Sequence, residues 1–165
     1  MIKAEEIWSP NFRHAEGREI SAIVIHYTGS MSLAGTLAWF EDKSSQVSAH
    51  YVIGREGRLI RMVHEEDVAW HAGSSSLAGR TNVNNFSIGI ELVGTQDSRF
   101  TCEQMAKLYE LLEDLVRRYR ISSKRVVGHA DVSPGRKIDP DGLHGQFNWV
   151  KTRAVVDAVF PGKKV

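Results

Sequence analysis

The chain has 165 residues, 42% of them apolar and 25% charged, with a formal net charge of +1. That length supports one domain with a buried core, and the near-neutral balance excludes a polybasic binder of nucleic acid. One cysteine, Cys102, excludes an internal disulfide; no apolar run approaches the ~20 residues of a membrane span, and the opening MIKAEEIWSPNFRHAEGREI has no apolar signal segment. The expectation is a monomer made in the cytoplasm, neither inserted in a membrane nor bound to nucleic acid.

SAIVIHYT (21–28) is a β-branched run that predicts a buried strand ending near His26. SLAGTLAWFED (32–42) spaces Leu33, Leu37 and Phe40 as a helix behind a Ser32 cap. AHYVI, GREG and RLIRMV (49–63) read as a hairpin turning at Gly57. FSIGIELVG (86–94) alternates, setting Ile88, Ile90 and Leu92 on one face and Glu91 on the other. TCEQMAKLYELLEDLVRRYR (101–120) is an amphipathic helix with Met105, Leu108, Leu112, Leu115 and Tyr119 on one face, and Thr101 and Gln104 are expected to form a capping box. RVVGH (125–129) is a short strand, and Asn148 caps a last helix carrying Trp149, Val156 and Phe160. Strands interleaved with helices indicate an α/β fold, one domain over 1–165 with its core at about 21–160.

No HExxH, CxxC, Walker or GxSxG pattern is present. What remains is His26 at one strand end, His129 at another, and Asp139 on the loop after it, stiffened by Pro134 and Pro140. Two imidazoles and a carboxylate are a three-ligand set for catalytic Zn2+, with a fourth position for water. His50, His71, His144 and Asp131 compete for these places, and any single histidine also reads as an ordinary hydrogen-bonded residue. Glu91 reads as a base or as an outward-facing strand residue, and Lys137 as a functional or merely solvated charge.

IVIHYT, VSAHYVIGREG, AWHAG, NNFSIGIELVGT and GHADVSPGRKIDP, in that order, resemble the zinc-dependent N-acetylmuramoyl-L-alanine amidases of the amidase-2 type. That family includes recycling amidases and phage endolysins, and shares its fold with peptidoglycan recognition proteins. The resemblance implies a central mixed β-sheet flanked by helices. It implies zinc on His26, His129 and Asp139, Glu91 as general acid/base, and Lys137 steadying the oxyanion. It sets Trp70, with His71 and His50 in the same motifs, against the substrate and not the metal. The substrate would be peptidoglycan or a muropeptide, cut between N-acetylmuramic acid and L-alanine.

The resemblance has departures. Only residues 27–46 separate the first ligand from VSAH, and near positions 46 and 82, where recycling amidases tend to carry arginines, this chain has Gln46 and Asn82. The family's DPG becomes DPDG with LHGQFNW. These features favour an open groove and an endolysin-like lytic amidase released through a phage-type pore. The alternatives are the cytosolic anhydromuropeptide amidase of cell-wall recycling and a non-catalytic peptidoglycan-binding module.

Overall fold

The computed structural model describes residues 2–160. In chain order the elements are β1 (Glu5–Glu6), β2 (Phe12–Arg13), β3 (Ala22–Tyr27), α1 (Leu33–Glu41), β4 (Tyr51–Ile53), β5 (Leu59–Arg61), β6 (Val68–Ala69), β7 (Ser76–Leu77), β8 (Arg80–Thr81), β9 (Ser87–Leu92), α2 (Cys102–Tyr119), β10 (Val126–Gly128), α3 (His129–Val132) and α4 (Trp149–Ala158). Six strands form one mixed sheet in the order β1-β5-β4-β9-β3-β10. β3 lies between β9 and β10 and runs parallel to both, while β4 and β5 form the antiparallel hairpin with Gly57 at φ +79°. A parallel strand covered on both faces reads as a continuous apolar run, which is why AIVI in β3 is fully buried.

Alternation divides the core between the two faces. Ile23, Ile25, Ile88, Ile90 and Leu92 pack with Leu108, Leu111, Leu112 and Leu115 of α2 and Val156 of α4. Ala22, Val24 and Val127 point the other way, toward Ala72, Val83, Phe86 and Val132. His26 shares this second face with Ala22 and Val24, and Glu91 lies opposite Ile90 in the alternation of β9. His26 and Glu91 are also partners in the β3–β9 register. The carboxyl ends of parallel strands are where open α/β sheets place their ligands.

The helix caps follow the sequence with one difference. Ser32, Thr101 and Asn148 each accept a backbone N–H of their helix. Gln104, however, does not complete a capping box with Thr101. Its amide is buried and donates to the carbonyls of Ile53 and Val93, tying α2 to the ends of β4 and β9.

Candidate functional site

His26 is the penultimate residue of β3, and His129 is the first residue after β10, opening α3. Asp139 is brought back to them because its carbonyl accepts the Ala130 N–H at 2.9 Å. Gly128 permits this return: a Cβ there would stand 2.7 Å from Pro140 Cδ. The result is a buried cluster, the one group of three metal-ligating side chains among the described residues, with its ligand atoms within 4.8 Å of one another. His26 Nδ1 and His129 Nδ1 are 2.9 Å apart, and Asp139 Oδ2 lies 3.2 and 3.0 Å from them respectively.

These three atoms suit a cation. His129 Nε2 lies 3.2 Å from the Ala72 carbonyl, which can only accept, so the proton sits on Nε2 and Nδ1 presents a lone pair. Burial lowers the His26 pKa to about 4, leaving the ring neutral. Burial also pushes the Asp139 carboxyl up, but hydrogen bonding and charge from the two imidazoles hold it well below the usual range, through a proton between them that a bound cation would replace. Three electron-rich atoms are thereby aimed at one another at separations near the ~3.4 Å expected between ligands of a tetrahedral zinc with bonds of ~2.1 Å. The donor set fits zinc.

The cluster lies at the floor of a cleft of about 550 Å³, walled by Trp39, Phe40, Trp70, Glu91, Arg136 and Lys137 among others. Burial raises the Glu91 pKa to about 8, aided by the negative charge of Asp139 and opposed by Lys137. Its Oε2 is buried without a hydrogen-bond partner. Lys137 is exposed at the cleft, and its charge is felt by both Glu91 and His26. A second groove of similar volume, between α1 and the β4–β5 turn, has no imidazole among its lining residues.

The other sequence candidates have separate places. Trp70 lines the cleft, half-buried, and His71 lines it from below, with Nδ1 3.0 Å from His26 Nε2. His50 does not reach the cleft: it is fully buried, accepts the Gly89 N–H at Nδ1, and sets Nε2 3.1 Å from the Asp67 carbonyl. The expected substrate contact from His50 is therefore corrected to a buried brace. Asp131 accepts the Gly128 N–H, and His144 is exposed beside Asp97 at 4.0 Å. Gln46 and Asn82, taken as missing carboxylate grips, stand exposed in left-handed turns with φ of 55° and 57°, and neither lines the cleft. The cations at the cleft are instead Arg136 and Lys137. Segment 27–46 does not simply leave the groove open, because α1 sets Trp39, 55% exposed, on its wall.

Residues 16–142 match the model of the family described as N-acetylmuramoyl-L-alanine amidase. The chain belongs to that family. A 1,6-anhydro-N-acetylmuramyl-L-alanine amidase, AmpD of Haemophilus influenzae, is 38% identical over 169 residues, covering 90% of each chain. The solved complex of the Escherichia coli amidase AmiD with anhydro-N-acetylmuramic acid-L-Ala-D-gamma-Glu-L-Lys superposes with a TM-score of 0.76 at 35% identity, over 87% of this chain and 60% of that one. A mutant endolysin from Bacillus subtilis superposes with a TM-score of 0.73 at 22% identity over 94% of this chain, which shows a shared fold. The chain is thus an N-acetylmuramoyl-L-alanine amidase, and its α/β fold is that of its relatives. The expected preference for a lytic, endolysin-like role has only this fold-level likeness behind it, whereas the amidases at 35–38% identity are named for or bound to anhydromuropeptides.

Sequence reading missed Trp39 and Arg136. Trp39 had a signal, since an indole between Ala38 and Phe40 falls off the Leu33–Leu37–Phe40 stripe. Arg136 had none: its donors to the carbonyls of Ala72 and Ser74 and to Ser133 Oγ join segments sixty residues apart.

Proposed function

We propose that this amidase hydrolyses the amide between the lactyl group of anhydro-N-acetylmuramic acid and L-alanine in soluble muropeptides, the recycling reaction, with zinc held by His26, His129 and Asp139. The observation that carries the substrate is the match to the Haemophilus enzyme over 90% of both chains. The placement of Gln46 and Asn82 away from the cleft removes one of the sequence features that opposed it.

Bound zinc would polarise the scissile carbonyl and acidify water. Glu91, on the cleft wall, takes the proton of the attacking water and returns it to the leaving alanine nitrogen. Lys137 faces the negative charge that develops on the carbonyl oxygen. Trp39 and Trp70 offer apolar faces to the sugar and peptide and exclude water around the reacting bond.

The test has two parts. His129→Ala and Asp139→Ala should each lose zinc and activity together; near-stoichiometric zinc in either would overturn the ligand assignment. The ratio of kcat/KM for a soluble anhydromuropeptide against sacculus fragments should be about 100 or more, which is about 2.7 kcal/mol of transition-state discrimination. A ratio near one or below would return the enzyme to the lytic reading.

A further inference from the structure

His71 is not in the metal set, yet its ring is more constrained than substrate contact requires. It packs directly on β9 at Gly89, where a Cβ would stand 2.4 Å from His71 Cγ. Asn84 Oδ1 accepts the N–H groups of His71 and Ala72 at 3.2 and 2.8 Å, fixing the backbone. Both ring nitrogens are engaged: Nδ1 is 3.0 Å from His26 Nε2, and Nε2 is 3.2 Å from Ser87 Oγ. Ser87 Oγ in turn lies 2.7 Å from the Val83 carbonyl.

The direction of this chain follows from its last member. A carbonyl can only accept, so the Ser87 hydroxyl proton points at Val83. Ser87 Oγ must then accept from His71, which places the His71 proton on Nε2. His71 Nδ1 is left as a lone pair and accepts from His26 Nε2. His26 is thereby held in the one tautomer that turns a bare Nδ1 toward His129 and Asp139. Ser87 is fully buried and His71 is nine-tenths buried, which strengthens these bonds over exposed ones.

We propose that His71 and Ser87 are positioning residues: a relay anchored on the Val83 carbonyl that sets the tautomer and ring orientation of His26 for metal binding. It rests on the zinc reading above. A neutral imidazole free to move its proton spends part of its time with Nδ1 protonated and unable to bind, and partners of this kind are worth about 10–100-fold in metal affinity.

The test is zinc affinity by competition with a chromogenic chelator, joined to long-range 1H–15N spectra of the histidine rings. In the parent, His71 should appear as the Nε2–H form; an Nδ1–H form would overturn the relay. His71→Phe keeps a flat ring on Gly89 but no acceptor, and should bind zinc about 10–100-fold more weakly. His71→Asn returns an acceptor close to the position of Nδ1 and should recover most of that loss. Ser87→Ala should let the Nδ1–H form of His71 appear and weaken zinc less than His71→Phe. If His71→Phe fails to fold, the comparison of His71→Asn and Ser87→Ala with the parent decides. Parent-like affinity in His71→Phe, or His71→Asn as weak as His71→Phe, overturns the proposal while leaving the zinc reading intact. A parent that binds no zinc overturns both.

Discussion

Glu91 is a carboxyl on the wall of a cleft, beside an anion, with one oxygen buried and unpartnered. In the proposed reaction it must be ionised to take a proton, and its two helpers are Lys137 and the dication that the adjacent ligands would hold. Glu91→Gln keeps shape but not basicity, so zinc should be retained while turnover falls about 10²–10⁴-fold. Near-normal turnover would make Glu91 a strand residue and nothing more. Lys137 differs, because it is exposed and in the proposed reaction would meet charge that forms only as the bond breaks. Lys137→Met should lower kcat with KM nearly unchanged. A raised KM with kcat intact would reassign it to holding the ground-state substrate.

At the scale of elements, the site is a consequence of β10, α3 and the loop that returns to them. Gly128 is the narrowest point: a Cβ would meet Pro140 Cδ at 2.7 Å, the Asp139 carbonyl at 3.2 Å and Trp149 Cζ2 at 3.2 Å. Gly128→Ala should push Asp139 away from His129 and cost about 1–3 kcal/mol of overpacking. A lower melting temperature together with weaker zinc binding would be the signature; unchanged zinc binding would mean that the loop shifts without moving the carboxylate. The same elements explain what was legible in advance. The strands and helices carry periods that report burial, and His26 and Glu91 could be placed because alternation along a strand fixes a side. His71, Trp70 and Arg136 sit on irregular backbone, where no period reports direction. Gln104 shows the other limit: the spacing that makes a capping box also serves a buried amide bonded across to β4 and β9, and only the packed fold decides between them.

At the scale of the whole molecule, the stability of the metal-free protein should pass through a maximum near pH 6.5. Burial holds His26 at about 4, His50 at about 3 and His71 well below its ordinary 6.5. Below pH 6.5 the unfolded chain therefore takes up protons that the folded chain refuses, and stability falls with acid by about 1.4 kcal/mol per pH unit for each such group. Glu91 works in the opposite direction. Folded, its pKa is about 8 against an ordinary 4.5. Between those values the folded chain holds a proton that the unfolded chain has lost, so stability falls as pH rises. From pH 4.5 to 6.5 three histidines outweigh one carboxyl and the net slope is upward; from 6.5 to 8 Glu91 acts without them and the slope turns down. Still lower in pH, Glu65 extends the acid loss: burial pushes its carboxyl up, but hydrogen bonds from Arg118, Tyr119 and Tyr51 outweigh this and hold it at about 2. Thermal unfolding in excess chelator from pH 5 to 8 should show the maximum, and Glu91→Gln should flatten its alkaline side while leaving the acid side in place. A melting temperature that climbs steadily through pH 8 in the parent would mean that Glu91 is ionised at little cost in the metal-free fold.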